Sequence, residues 1–441
     1  MEWSLDEYEK LVIRMNTPRV VIDNAVCPAA TVVKVDSARK DGVLLEAIQA
    51  LMDLNLSIRK AYMSSDGRWF MDVFHVTDRF GRKLDGRVIP YIEECLGAGP
   101  ASRSDTMEGV TVLELSGTDR PGLLSEIFAV LADLQCGVSD ATVWTHNGRI
   151  ASLIFITNEE DSGFPVAADS RRLQRIEARL RNVLKGENDI RGARTAVSSS
   201  LALGIHPDRR LHQMMFEDRD YERMPSGDES WSPPSVSVQN WVERGYSEVN
   251  VQCRDRPKLL FDVVCTLTDM EYVVFHGRID TDGDRAHQEF HIRHKDGSPI
   301  SSGAEKQRVI QCLQAAIERR ASSGLRLELC TVDCQGLLAD VTRTFRENGL
   351  SVTRAEVSTK AEMANNVFYV TDAAGRPVDH KAIDAVRERI GMRILTVSEE
   401  PQPRLCQKRS DNEEASGIGL FSWGSIVKRN LFNLGLIRSC S

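Results

Sequence analysis

One short loop of this chain carries residue types that could hold a small zwitterionic ligand. The loop reads Asp119, Arg120, Pro121, Gly122, Leu123 and Leu124, between a predicted strand and a predicted helix. Pro121 suits the first turn of a helix, and Gly122 allows a ligand to approach the backbone closely. The unpaired N–H groups of that turn favour an anion such as an α-carboxylate. The Asp119 carboxylate would accept a hydrogen bond from an α-ammonium group, so the chemistry fits a free amino acid.

The same loop also has a purely structural interpretation. Asp119 would then cap the helix and Gly122 would form the turn, with no ligand involved. The spacing within the loop fits both interpretations, and both stay open at this point.

The loop belongs to an internal repeat of constant spacing. The residue at its fourth position is, in chain order, Gly42, Gly122, Lys258 and Gly336. A small residue follows 19 positions later in every copy, namely Ala61, Ala141, Gly277 and Ala355. Copies that keep this register without an insertion predict four units of the same fold.

Each unit is predicted to place the loop between its first strand and its first helix. In the second unit, the apolar alternation of residues 110–115 predicts the strand, and the helical spacing of apolar residues within 124–131 predicts an amphipathic helix. Two more strands, a second helix and a closing strand would complete a ferredoxin-like βαββαβ unit. Similar segments at Val20–Asn24 and Val236–Asn240 predict an additional strand before the first and third units.

The repeat divides the chain of 441 residues into four domains and a tail. The predicted domains cover residues 20–97, 109–203, 236–320 and 325–400, and the tail covers residues 401–441. Polar and breaker residues predict linkers at 97–108 and 225–234. Residues 198–225 are predicted to be irregular.

Composition and charge argue against several classes of protein. The net charge of −8 argues against a general nucleic-acid-binding protein, and no segment is long and apolar enough to span a bilayer. The acidic N-terminus lacks the features of a signal or transit peptide. The ten cysteines are scattered, many within apolar segments, which favours reduced thiols in the cytoplasm, with the nucleus as the alternative.

The sequence contains no familiar enzyme motif. There is no P-loop, no Gly-x-Gly-x-x-Gly pair, no His-Glu-x-x-His and no nucleophile elbow, so neither catalysis nor a cofactor is predicted. His287 and His291, with Glu289 between them, share one face of a predicted strand and raise the alternative of a metal-dependent enzyme. At the position of His291 the other units also hold rings, namely His75, Phe155 and Tyr369. This column favours rings on a sheet face over metal ligands, and no metal is predicted.

The loop and the segments that follow it resemble a known family. The residues from Asp119 to Leu124, with Ala141 and the segment Phe368–Asp372, are similar to the signature of ACT domains, the amino-acid-sensing modules of metabolic enzymes. The units resemble those of bacterial uridylyltransferases, and four units with little else resemble the plant ACT-domain-repeat (ACR) family. The resemblance runs from Val20 to Glu400. It implies an α+β fold of four tandem ferredoxin-like units, paired side by side into larger sheets.

The resemblance also implies a function, that of a non-catalytic sensor that binds a small amino acid and acts on an unidentified partner protein. The implied binding residues are Asp119, Arg120, Pro121, Gly122, Leu123, Leu124 and, on the next strand, Ser139. We expect structural roles for the other three loops, because each departs from the motif. The third has Lys258 in place of glycine, the fourth has Cys334 and Gln335, and the first has altered spacing. The alternative is an interaction scaffold that binds no ligand. Pairing within one chain and pairing in a homodimer both stay open.

The tail contains the segment Leu420–Phe432, which mixes apolar and basic residues. It could form an amphipathic helix docked on protein, or contact a membrane with Cys440 as an acylation site. We favour docking on protein.

Overall fold

The computed structural model describes most of the repeat region. The described residues are 19–38, 42–65, 69–97, 111–158, 170–185, 192–199, 205–222, 234–321, 324–360 and 362–398. The predicted linkers lie almost entirely outside these ranges, and the tail from residue 401, with its predicted helix, lies wholly outside them. Among the described residues, no helix has the length and apolar character needed to cross a membrane.

The strands of units 1 and 3 form one antiparallel sheet of eight strands, sheet A, in the order β1-β2-β4-β3-β11-β12-β10-β9. Unit 1 provides β1 (Arg19–Asp23), β2 (Thr31–Ala38), β3 (Ser57–Ser65) and β4 (Trp69–Thr77). Unit 3 provides β9 (Ser235–Trp241), β10 (Tyr246–Arg254), β11 (Tyr272–Asp282) and β12 (Arg285–His294). The two units therefore pair side by side within one chain, through β3 and β11.

The strands of units 2 and 4 form a second eight-stranded sheet, sheet B, in the order β16-β13-β15-β14-β6-β7-β5-β8. Unit 2 provides β5 (Thr111–Thr118), β6 (Cys136–His146), β7 (Arg149–Asn158) and β8 (Arg194–Ser199). Unit 4 provides β13 (Leu325–Val332), β14 (Leu350–Lys360), β15 (Met363–Asp372) and β16 (Leu395–Ser398). Here β6 and β14 join the two units.

The small residues of the repeat lie in the strands that join paired units. Ala61 is paired with Ile279, and Gly277 is paired with Met63. A Cβ on Gly277 would lie only 2.9 Å from Sδ of Met63. The corresponding residues of sheet B are Ala141 and Ala355. Small side chains are therefore needed where two units meet, which explains this column of the repeat.

The additional strands predicted before units 1 and 3 are confirmed. β1 pairs with β2 and β9 pairs with β10, each at an outer edge of sheet A. Units 2 and 4 are instead closed by their C-terminal strands, β8 and β16, at the edges of sheet B. Within the described ranges each unit thus has four strands, but the fourth strand comes from opposite ends of the unit in the two pairs.

Helices cover one face of each sheet and bury its apolar side chains. On sheet A these are α1 (Val43–Asp53), α2 (Ile89–Gly97), α6 (Leu259–Asp269) and α7 (Gly303–Glu318). On sheet B they are α3 (Leu123–Asp133), α4 (Ser170–Lys185), α8 (Leu337–Glu347) and α9 (His380–Ile390). The apolar faces predicted for the first helix of each unit are the faces that pack on the sheets.

The prediction that residues 198–225 are irregular is wrong for a central part of that segment. Helix α5 (Pro207–Glu217) starts there with proline in its first turn, and it connects the two sheets. Its apolar residues Leu211, Met214 and Met215 pack on the face of sheet B that the other helices leave uncovered. The helix was not predicted because most of its residues are charged or polar, and several of them are buried by contacts with distant units.

Candidate ligand-binding site

The four loops, numbered here after their units, share one backbone conformation. The fourth-position residue is left-handed in each, with φ of 91° at Gly42, 84° at Gly122, 67° at Lys258 and 81° at Gly336. The helix begins at the following residue, so the N-cap position of α3 is held by Gly122 and not by Asp119. A left-handed lysine costs roughly 1 kcal/mol more than glycine, so loop 3 must gain something from its side chain.

Loop 2 brings together most of the residues predicted to bind an amino acid. A cavity of only about 10 Å³ is lined by Arg346, by the first residues of β14 and by five of the predicted residues, namely Asp119, Arg120, Gly122, Leu123 and Leu124. That volume holds about one water molecule. Arg346 of α8 lies across the loop, so that a Cβ on Gly122 would be 2.5 Å from Cδ of Arg346. In this conformation, loop 2 has no room for an amino acid.

The charged side chains of loop 2 already have neighbours within the protein. The Arg120 guanidinium donates to Oε1 of Glu126 at 3.0 Å and to the carbonyl of Val183 at 3.0 Å. Burial raises the pKa of Asp119 to about 6, although the Arg120 backbone N–H and its positive charge oppose this shift. Asp119 must be ionised to form an ion pair with an ammonium group. With a pKa of about 6, part of its population is protonated at mildly acidic pH.

Pro121 and Ser139 do not line this cavity. Pro121 is exposed at the start of α3. Ser139 is the extra residue of a β-bulge in β6, and its hydroxyl donates to the carbonyl of Phe155 at 3.3 Å. The structure thus brings together five of the seven residues predicted for the site and leaves these two outside it.

A much larger cavity, of about 1100 Å³, lies between units 1 and 3. Loop 3, from Asp255 to Phe261, forms one wall. The other walls are formed by residues from Leu54 to Arg59, which lead into β3, and by residues from Asp78 to Asp85, which follow β4. The volume slightly exceeds the usual range of small-molecule sites, about 300–1000 Å³, and the cavity combines apolar walls with charged groups of both signs.

Arg59 is a cation of this cavity whose ion pair within the protein is long. It is the extra residue of a β-bulge in β3, and its Nη1 lies 4.0 Å from Oδ2 of Asp255. Burial raises the pKa of Asp255, and the positive charge of Arg59 opposes this shift. Arg82, by contrast, is held by Asp78 at 2.9 Å. A carboxylate near Arg59 and an ammonium near Asp255 would each meet an opposite charge.

A buried amide also faces the cavity. Gln288 of β12 is only 4% exposed, and its Oε1 has no hydrogen-bond partner among the residues that the structure describes. Leaving a buried acceptor unpaired costs about 1–3 kcal/mol, which a ligand N–H group would offset. The repeat could have indicated this residue, because the same position in the other units is also polar: Asp72, Ser152 and Asn366.

The lysine of loop 3 connects the cavity to helix α5. Lys258 lines the cavity, and its ammonium group donates to Oδ2 of Asp208, the second residue of α5, at 2.9 Å. Arg320 holds the same carboxylate oxygen at 2.9 Å, and its guanidinium lies 4.5 Å from the ring centre of Trp144 in sheet B. Although burial opposes it, the charges of Arg320 and Lys258 hold the pKa of Asp208 well below its usual range. A lysine at this position therefore ties loop 3 to the second sheet.

Three family models match this chain. The model of the ACR family N-terminal ACT domain matches residues 26–102, and the model of the ACT domain matches residues 111–163. The model of the ACR9-like, ACT-like domain matches residues 235–326. The matches fall in units 1, 2 and 3.

Curated proteins of Arabidopsis thaliana match the chain along its full length. The ACT domain-containing protein ACR8 is 61% identical over 100% of both chains. The ACT domain-containing protein ACR4 is 54% identical over 99% of this chain and 98% of its own. Among solved structures, aspartate kinase from Synechocystis is 13% identical over 82% of this chain and 54% of that one, with a TM-score of 0.14. The chain belongs to the ACR family of ACT domain-containing proteins.

Proposed function

We propose that this ACT-domain regulatory protein is not an enzyme and binds a free amino acid between units 1 and 3. The observation that carries the proposal is the cavity of about 1100 Å³ at the joint of the two units, which is lined by Gln288, whose Oε1 has no hydrogen-bond partner in the described part of the chain. Loop 2, in comparison, is closed by Arg346. The proposal therefore keeps the predicted class of ligand and moves its site from loop 2 to loop 3.

Each end of an α-amino acid has a complementary group in this cavity. The carboxylate would lie near the Arg59 guanidinium and the first turn of α6, where the helix dipole favours an anion. The ammonium group would donate to the Asp255 carboxylate and to Oε1 of Gln288. The apolar side of the cavity, which includes Met52 and Leu260, would receive the ligand side chain.

A ligand at this joint would touch both paired units and the contacts that lead to the second sheet. Lys258 lines the cavity and binds Asp208 of α5, so a ligand carboxylate would compete with Asp208 for the same ammonium group. Changing that ion pair would alter how α5 is held between the sheets. We propose that the surface formed in this way acts on a partner protein, which remains to be identified.

A thermal-shift screen of the twenty amino acids against the full chain tests this function. A ligand that binds only the folded state at a hundred times its Kd would add about 2.7 kcal/mol of stability. We expect one amino acid, or a small group of similar ones, to raise the melting temperature in a concentration-dependent way. If none does so, the chain is better explained as an interaction scaffold whose ACT units bind no ligand.

A further inference from the structure

Unit 3 carries a cluster of imidazoles and carboxylates on the face of sheet A opposite to its helices. Glu248 of β10 is paired with His291 of β12, and His291 is in turn paired with His276 of β11. Glu289 lies two residues before His291, and alternate residues of a strand share a face. Three neighbouring strands thus place two imidazoles and two carboxylates next to one another.

Three members of this cluster have ligand atoms close enough to share one cation. One ligand atom from each of Glu248, Glu289 and His291 lies within 4.8 Å of the other two, and all three side chains are half-buried. His291 Nε2 is 3.2 Å from Oε1 of Glu289. The His276 ring lies 4.8 Å from the His291 ring, centre to centre. Ligands of a tetrahedral zinc ion are separated by roughly 3.3 Å, so the three ligand atoms would have to move closer together and the His276 ring would have to turn towards them.

The side chains around the cluster hold two of these groups in place. Trp241 Nε1 donates to Oε2 of Glu248 at 3.0 Å, and Asn250 Nδ2 donates to its Oε1 at 2.7 Å. The Tyr246 ring stacks on His291 with a separation of 4.5 Å and an angle of 15° between the planes. Outer contacts of this kind orient metal ligands and strengthen binding.

We propose that Glu248, Glu289, His276 and His291 form a binding site for a divalent transition-metal ion of the zinc class. Mixed imidazole and carboxylate ligands are typical of Zn²⁺, whereas Ca²⁺ and Mg²⁺ prefer oxygen atoms alone. The metal would tie β10, β11 and β12 together on the face opposite to Gln288, so it does not depend on the amino-acid site. His287 is not a ligand, because it pairs with Gln252 and Asp280 in another row of the sheet.

The sequence drew attention to this strand but not to this set of ligands. His287 and His291 share one face of β12 with Glu289 between them, but the two histidines lie in different rows of the sheet. The ligands that complete the site come from neighbouring strands, and only the register of the sheet places Glu248 beside His291.

The test is isothermal titration of ZnCl₂ into the full chain, purified without a histidine tag and treated with a chelator. We expect one Zn²⁺ per chain, and loss of that binding in the double variant Glu248→Gln with His291→Ala. His287→Ala is the matched control, because it removes a neighbouring imidazole of the same strand and should leave the affinity unchanged. Thermal unfolding of each variant without metal shows that the fold is retained.

A milder variant provides a second readout of the same site. Trp241→Phe removes the hydrogen bond to Glu248 but keeps an aromatic ring, and it should weaken Zn²⁺ binding roughly tenfold or more without removing it. The proposal is overturned if wild-type protein binds no stoichiometric Zn²⁺, or if the double variant binds it as well as wild type. It is also overturned if His287→Ala abolishes binding.

Discussion

Asp72 of unit 1 provides a quantitative test of how the buried polar column affects stability. It lies on β4 between Phe70 and Phe74, facing the core, and is 3% exposed. Its Oδ2 has no hydrogen-bond partner within the described part of the chain, and burial raises the pKa of Asp72 to about 8. In unit 4 the corresponding residue is Asn366, a neutral side chain that accepts a hydrogen bond from the Ser358 backbone at 3.2 Å.

The sign of the effect follows from the two pKa values. The pKa of Asp72 is about 8 in the folded state and about 3.9 in the unfolded state, so at pH 7 only the folded state keeps the proton. Stability is therefore lost as the pH rises from about 4 to about 8. At pH 7 the penalty spans roughly three pH units at about 1.4 kcal/mol each, which gives about 4 kcal/mol as an order of magnitude.

The variant Asp72→Asn removes this penalty because asparagine does not ionise. We expect it to unfold at higher urea concentration or temperature than wild type at pH 7, with the gain shrinking as the pH falls towards 4. Asp372→Asn is the opposite control, because hydrogen bonds from the Arg376 backbone and side chain, and from the Ala374 backbone, lower the pKa of Asp372. Its loss of stability should be largest at neutral pH and fade in acid. A gain for Asp72→Asn that does not change with pH, or a loss at pH 7, refutes the reasoning.

Two further predictions concern the arginines Arg319 and Arg346. Arg319→Met should lower the free energy of unfolding by about 3 kcal/mol, because it removes the guanidinium that contacts both oxygens of the fully buried Asp220 at 2.6 and 2.7 Å and leaves that carboxylate with the His146 imidazole, 2.8 Å away. In urea unfolding, the exposed control Arg219→Met should change stability by less than about 0.5 kcal/mol, and equal effects of the two variants would contradict the assignment. Arg346→Ala, which uncovers Gly122, should leave amino-acid affinity unchanged in calorimetry, and a gain in affinity that Asp119→Ala reverses would place the site in loop 2.

The repeat predicted the architecture because its signals are local to each unit. Each pattern determines the secondary structure of the segment in which it occurs. This holds for the alternation of the strands, for the helical apolar face after each loop and for the extra segments at Val20–Asn24 and Val236–Asn240. The left-handed position of the loops also follows from sequence, since three of the four copies place glycine there. Lys258 stands out from the glycines of the other copies, but its partner Asp208 lies in a different segment of the chain.

The candidate site could not be chosen from the sequence because it depends on which units meet. Loop 2 has the best motif, yet Arg346 of unit 4 lies across it. Loop 3 has the poorer motif, yet it faces the cavity that unit 1 completes through Arg59. Packing between units therefore decides which loop is open, and no spacing within a single unit carries that information.

Calorimetric titration of the stabilising amino acid into three proteins tests the central claim most directly. The proteins are the wild type, Arg59→Ala and Asp119→Ala. Arg59 is exposed enough that its removal should not affect folding, since 44% of its side-chain surface is accessible. We predict that Arg59→Ala weakens binding at least about tenfold, the loss expected for one charged hydrogen bond of about 1.4 kcal/mol or more, and that Asp119→Ala binds as wild type does. Binding that survives in Arg59→Ala and disappears in Asp119→Ala would contradict the account.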